Sequence, residues 1–359
     1  MSLYLDKQII ANSGNGNSQF NQITSMRKLH ANREEVLLAE AVKAGLVKDC
    51  FLAANAGRLP QDTYRDFDRT IKRVMAGDEG SAVISLLPTR SLPIGKIVAE
   101  YAQASDSGSA QATISGRQAH KLDRAAYEYD GALVLVHDDG FGRLWREVEA
   151  MRSEDFDGLQ DDQANTVRAV RRSIYDHAFN GVANVEYKGT QAYGMKNSPN
   201  TQSLDLDASG VNVDLTSPTA SFADFEKAIV AALTALQGSA NNVEMDITFA
   251  FSSQIWFNAL RTGTTDTNFT TILEACRRIP GVANIVKTNG TQLTGNEFLA
   301  WANSDEYIQL QVGMAVNTQP VIRNMFNDPY NFVTWGAAGL LIKADTAGRS
   351  GVLYARNIA

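Results

Sequence analysis

Asp138 and Asp139 stand side by side after the apolar run Leu133 to Val136 and before Gly140. A carboxylate pair at a strand end can divide acid and base roles or hold a cation, which is what a hydrolase would need. The same two residues before a glycine also suit a solvated turn or a helix cap. The four histidines, His30, His120, His137 and His177, are scattered without ligand spacing such as HExxH, so the chain shows no metal-binding pattern. Motifs of the forms GxGxxG, GxxxxGK[ST], GxSxG and CxxC are absent. The expectation is a protein that is not an enzyme and needs no cofactor and no metal.

Charge narrows the partners. With 33 basic and 40 acidic residues the formal charge is −7, the opposite of the basic stripe that a dedicated nucleic-acid binder carries. One dense basic group is Arg168, Arg171 and Arg172, downstream of Asp155, Asp157, Asp161 and Asp162, an order that the helix dipole favours. The tryptophans, Trp145, Trp256, Trp301 and Trp335, all sit in apolar contexts and read as core. Cys50 and Cys276 are isolated and read as small core hydrophobes, not as a redox pair.

The apolar runs Ala228 to Ala235 and Ala337 to Ile342 fall far short of the ~20 residues that cross a bilayer. The first residues, MSLYLDKQIIANSGNGNS, lack a basic segment followed by an apolar one, so neither a membrane span nor export is expected.

The elements that must position these residues read as follows. Residues 1–31 are rich in Asn, Ser and Gln and form a polar arm. Asn32 and Glu35 have capping-box spacing before a short helix that Gly45 can end. A second helix follows Pro60, with Tyr64, Phe67, Ile71 and Val74 as its apolar stripe. Ile94 to Ala104 and Ala110 to Gly116 then flank the turn segment Ser105 to Ser109, a hairpin whose small polar side chains cannot stabilise an isolated ribbon. The longest helix spans Leu159 to Asn180, with Ala164, Val167, Val170, Ile174 and Ala178 on one face and Gly181 as its stop.

Residues up to Asn200 read as an ordered loop and 200 to 220 as polar connection. Ser221 caps a helix with Phe225, Ile229, Leu233 and Leu236 inward, and Gly238 closes it. Met245 to Phe251 alternates as a half-buried strand, and Ser252-Ser253 caps a helix with Ile255 and Trp256. A helix over Phe269 to Arg278 precedes strands at Ala283 to Lys287, Glu297 to Trp301 and Tyr307 to Val312, with Asn289-Gly290 as a tight turn between the first two. Asn331 to Trp335, Gly339 to Ala344 and Gly351 to Ile358 are the last strands.

In this order the segments resemble the Hong Kong 97-like major capsid protein fold, shared by tailed-phage capsids and encapsulin shells. LPQDTYRDFDRTIKRV (59–74) looks like the helix that opens encapsulin-type subunits, and the hairpin is similar to the family's extended E-loop. The long helix running into FNGVANVEYKGTQAYGMKNSPN resembles the spine helix and the glycine-rich loop after it. SFADFEKAIVAALTALQ with ITFAFSSQIWFNAL is similar to the axial domain, and NFVTWGAAGLLIKADTAGRSGVLYARNIA to the closing strands.

The resemblance implies an α+β fold with an N-terminal arm and helix (1–58), a helix and connection (59–92), the E-loop (93–131), a peripheral domain with the spine helix (132–200), an axial domain (201–325) and return strands to the peripheral domain (326–359). It implies a major capsid protein that assembles with itself, as hexamers and pentamers, into an icosahedral shell around a double-stranded DNA genome that it touches non-specifically. Its location would be the virion, after assembly in the host cytoplasm. The segment before Leu59 favours a phage capsid over the alternative, an encapsulin-type compartment. The lack of a long charged coiled coil implies a separate scaffolding protein or none, beside portal or decoration proteins. Lys96, Glu100, Arg117 and Lys121 become candidate contacts between subunits, and Arg168, Arg171 and Arg172 a candidate interior or interface face. The remaining alternative, from a different class, is an α+β hydrolase built on Asp138 and Asp139.

Overall fold

The computed structural model describes residues 80–357 except 109, 111, 113, 115–123, 154–157, 263–269 and 289–290, together with Ser25, Met26, Lys28, Leu29, Leu37, Glu40 and Lys43. The chain divides into two compact units, Met1–Met75 and Ala76–Ala359. In the first unit all seven described residues are helical and exposed, so helix already occupies part of the segment expected to be arm. The helix expected at 59–74, the caps Asn32, Glu35 and Gly45, and Cys50 lie outside the described residues.

The second unit begins with the short helix α1 (Ser81–Ile84) and the strand β1 (Thr89–Ser91). Next come β2 (Val98–Ala104), β3 (Tyr127–Leu133), β4 (Leu135–Arg143), α2 (Trp145–Ser153) and the 23-residue α3 (Gly158–Asn180). Then follow β5 (Val182–Tyr187), β6 (Thr190–Ala192), β7 (Gln202–Asp205), α4 (Phe222–Gln237), β8 (Ile247–Phe251), α5 (Ser253–Ala259) and α6 (Ile272–Arg277). The chain closes with β9 (Val282–Lys287), β10 (Phe298–Ala302), β11 (Ile308–Pro320), β12 (Tyr330–Ile342) and β13 (Val352–Arg356). This is the expected α+β class.

The local signals for the helices hold. Ser221 is the N-cap of α4, with its N–H donated to the Asp224 carboxylate at 2.8 Å, and Gly238 is the C-cap. Ser252 Oγ accepts the Ile255 N–H and Thr271 Oγ1 the Glu274 N–H, each at 3.3 Å. Gly181, at φ 70°, ends α3 in the left-handed conformation that costs a glycine least.

Strand pairing and strand burial depart from the sequence reading in several places. The sheet order β7-β13-β10-β8-β9 leaves β9 and β10 on opposite sides of β8, so the residues between them do not join a hairpin. β8 is buried along its whole length instead of on one face. One face of this sheet meets α4, through Phe225, Ile229, Phe249, Phe251 and Phe298; the other meets α1, α3 and the second sheet, through Ala250, Leu299, Trp301, Phe179 and Leu340. Alternation in a strand marks half-burial only when one face stays wet. The expected ordered loop after α3 contains a hairpin, β5 to β6, turned by Lys188 and Gly189 at φ 50° and 84°, the positive angles that a two-residue turn of this kind requires. The supposed polar connection supplies β7 and the buried Leu206, Val211, Val213 and Leu215.

The second sheet has the order β1-β11-β12-β4. The two strands expected at 331–344 are one, β12, and Gly339 lets it pass the Leu133 carbonyl where a Cβ would collide. Helix α3 lies against this sheet through Val170 and Ile174, which pack with Ala338 and Val316. The C-terminal segment divides between the sheets, β12 in the four-stranded one and β13 beside β10 in the five-stranded one. Of the tryptophans only Trp301 is fully buried; Trp145, Trp256 and Trp335 are half-buried. Cys276 is core as expected, its thiol pushed up to about 12 by burial.

Candidate assembly surface

The hairpin exists, with a different second strand. β2 pairs antiparallel with β3, in register from Val98 opposite Leu133 to Ala104 opposite Tyr127, and not with Ala110 to Gly116, whose described members are outside any strand. The last closing bonds link Ser105 to Ala126: each donates its N–H to the other, at 2.8 Å, with Ser105 Oγ and the Ala126 carbonyl as acceptors. The stretch of chain between the paired Ser105 and Ala126 is therefore far longer than the five-residue turn read from the sequence. The reason is composition: Tyr127, Tyr129 and Leu133 supply the aromatic and apolar side chains that a strand prefers, and Ala110 to Gly116 has mostly small polar ones.

Pairing alternates the faces of this ribbon. Glu100, Ala102 and Ala104 share one face with Tyr129 and Tyr127, which remain 74% and 66% exposed. The opposite face holds the ribbon to the body. Ala99 packs with Val134 and Ala337. Tyr101 Oη accepts the N–H of Ala344 at 2.8 Å and Nε2–H of Gln103 at 2.9 Å, and it lies 3.2 Å from both the Asp130 carboxylate and the Ala344 carbonyl, either of which can take its proton. Asn200 Nδ2 donates to Asp130 at 2.9 Å and to the Ile342 carbonyl at 3.0 Å. Burial and the neighbouring Asp130 charge push the Tyr101 hydroxyl pKa upward, so it stays protonated and available for these bonds.

Of the four candidate contact residues, Lys96 and Glu100 are among the described residues. Lys96 is exposed in a turn before β2, its N–H bonded to the Pro93 carbonyl, and so lies outside the ribbon itself. Glu100 is on the ribbon's open face, opposite Gly131. Arg117 and Lys121 lie outside the described residues. Arg168, Arg171 and Arg172 are all exposed on α3, while Val170 and Ile174 face the sheet at 1% and 9% exposure. At the start of α3, Asp162 receives a two-pronged bond from Arg143, at 2.5 and 3.0 Å, which fastens the helix to the end of β4.

The acidic pair is neither turn nor cap. Asp138 and Asp139 are exposed inside β4, opposite Trp335 and Thr334 of β12. Adjacent strand residues project from opposite faces, so these two carboxylates cannot converge on one bond. A cleft of about 470 Å³ at the foot of the ribbon is lined by Tyr101, Asn242, Tyr307, Lys343 and Arg349, and by neither aspartate. No group of three or more possible metal ligands occurs among the described residues, and none of the described helices is long and apolar enough to cross a membrane.

The sequence reading missed one relationship of chemical interest, the meeting of His137 and His177. His137 Nε2 lies 3.4 Å from His177 Nδ1, and its Nδ1 lies 2.8 Å from Ser173 Oγ. With 39 intervening residues no spacing rule could have joined them; only the packing of α3 on β4 does.

The comparisons with known proteins agree with this architecture. No curated protein sequence matches the chain. Among solved structures, the chain is similar to "The capsid of Myoviridae Phage XM1" at 14% identity and a TM-score of 0.64, covering 85% of this chain and 100% of that one. It is also similar to the structure titled "Mycobacterium phage Bobi" at 11% identity and a TM-score of 0.56, over 83% and 97% of the two chains. For the capsid of the native GTA particle the identity is 13% and the TM-score 0.55, over 87% and 100%. These likenesses establish the Hong Kong 97-like fold. A model of the family of unknown function DUF6260 matches residues 53–355, and the chain belongs to that family.

Proposed function

We propose that this chain is the major shell subunit of a tailed-phage-type capsid, closing with copies of itself into an icosahedral container for double-stranded DNA. The observation that carries the proposal is the full-length match of phage capsid chains to this fold, 100% of the chain in the XM1 capsid. The ribbon β2–β3 supports it physically. Two strands are too few for independent stability in water, and this ribbon leaves Tyr127 and Tyr129 exposed on a face that the described residues of its own subunit do not cover. A neighbouring copy gives such an element its missing contacts, and the same small contact repeats around a closed shell.

In this reading the ribbon is the E-loop, α3 the spine helix of a peripheral layer with the four-stranded sheet, and the five-stranded sheet with α4, α5 and α6 the axial layer. Lys96, Glu100, Arg117 and Lys121 serve contacts between subunits within hexamers and pentamers. Arg168, Arg171 and Arg172 meet packaged DNA non-specifically or a neighbouring subunit. Scaffolding, portal and decoration proteins are the other expected partners, and the virion is the expected location, after assembly in the host cytoplasm. The chain acts by assembly and not by turnover, in keeping with Asp138 and Asp139 pointing apart.

Electron microscopy of the protein produced alone and with the scaffold from its own genome tests this. Closed particles of megadalton mass are the expected result. A monodisperse monomer under every assembly condition would overturn the shell reading, and particles loaded with an enzyme in place of DNA would point to a compartment shell instead.

A further inference from the structure

The spine helix meets the sheet across a pair of buried imidazoles. His137 of β4 is 9% exposed and His177 of α3 is 2% exposed, their ring centroids 5.5 Å apart and tilted by 38°. A hydrogen-bonded row runs from Ser173 Oγ through His137 Nδ1 and Nε2 to His177 Nδ1, at 2.8 and 3.4 Å. Beyond it His177 Nε2 is buried and has no partner among the described residues.

We propose that His137 and His177 form an acid-sensitive joint between α3 and the four-stranded sheet, closed while the row carries at most one extra proton and opened by the second. With both rings neutral, the row has one hydrogen for each of its two links, whichever direction it runs. One added proton makes His137 a donor at both nitrogens, to Ser173 and to His177, which the geometry accepts. A second would put two imidazolium rings in contact in a dry interface, with the new N–H of His177 facing no acceptor. That charge can be hydrated only if the helix lifts from the sheet.

The surrounding groups do not offset this. Asp138 on β4 favours a charged His137 and Asp176 on α3 favours a charged His177, but burial outweighs both. Asp176 also already accepts from Asn180 Nδ2 at 2.6 Å. On β12 the residue opposite His137 is Gly336, and its neighbours Trp335 and Ala337 carry no ionisable group. Burial, and for His177 also the His137 charge, therefore leave the His137 pKa below its ordinary value and that of His177 at about 4. The sign follows. Both native values lie below the unfolded value of ~6.5, so the joint's contribution is whole above that pH and is lost as the pH falls from there toward the native values.

The inference concerns the folded subunit and does not depend on the shell reading. It is tested on the full-length chain by amide hydrogen exchange of α3 and β4, corrected for intrinsic rates, from about pH 7 down to about pH 4. The wild type should lose protection by up to about tenfold per pH unit for each proton taken up. The double variant His137→Phe/His177→Phe should keep its protection through the same window. If the two lose protection in the same window, carboxylates are responsible and the proposal fails. Should the double variant not fold, exchange at the imidazole C2 position in the wild type decides. Titration of both rings below their ordinary value, His177 last, supports the joint, and ordinary titration of either ring overturns it.

Discussion

Tyr101 Oη and the backbone of Ala344, 243 residues apart, form the latch that sets the ribbon against the body, the hydroxyl accepting the Ala344 N–H at 2.8 Å. Tyr101→Phe keeps the ring and removes the acceptor. The ribbon should then gain amide exchange over 98–104 and 127–133, with a stability loss of about 1 kcal/mol because the N–H of the buried Ala344 loses its partner. Unchanged exchange in the ribbon would mean that the apolar contact of Ala99 with Val134 and Ala337 suffices as the anchor.

The distal part of the ribbon should be dispensable for folding. Replacing Gln103 through Glu128 by a short Gly-Ser link spares Ala99, Tyr101, Asp130 and Ala132, so the subunit should remain soluble with a single cooperative denaturation transition. It should fail to make stable closed particles, since the faces of Tyr127 and Ala104 are gone. Normal particles from this variant would end the assignment of the ribbon as an intersubunit element.

The two sides of α3 should respond oppositely to substitution. Val170→Asp places an unpaired charge at a position 1% exposed, a cost of several kcal/mol that should leave the protein insoluble or unfolded. Arg168→Ala and Arg171→Ala change exposed positions and should alter stability by no more than about 0.5 kcal/mol, measured by chemical denaturation. Any effect of the arginine variants should fall on assembly and its salt dependence.

Cys276 should be unreactive while the subunit is folded. Its thiol is buried and pushed up to about 12, so almost no thiolate exists at about pH 8. Alkylation followed at the peptide containing Cys276 should appear only when denaturant unfolds the chain. Rapid labelling in native buffer would mean that α6 opens locally.

The parts of this protein that its sequence determined are those set by neighbours along the chain. The stop of α3 at Gly181, the caps Ser221 and Ser252, and the inward stripe of Val170 and Ile174 all follow from residues within a turn or two of one another, which is the range over which helix hydrogen bonds and side-chain periodicity act. The order of those elements was enough to point to the fold family. Sheet pairing acts at any separation, and there tertiary structure decided. β2 took Tyr127 to Leu133 as its partner over the nearer Ala110 to Gly116, and β8 was covered on both faces despite its alternation. The strand holding Asp138 and Asp139 ran on through a segment that looked like a turn, because β12 offered it a ladder of hydrogen bonds. The meeting of His137 and His177 is the extreme case: no property of either residue's own segment marks it, since it arises only where the face of α3 that buries Val170 and Ile174 settles on the sheet and carries both rings out of water.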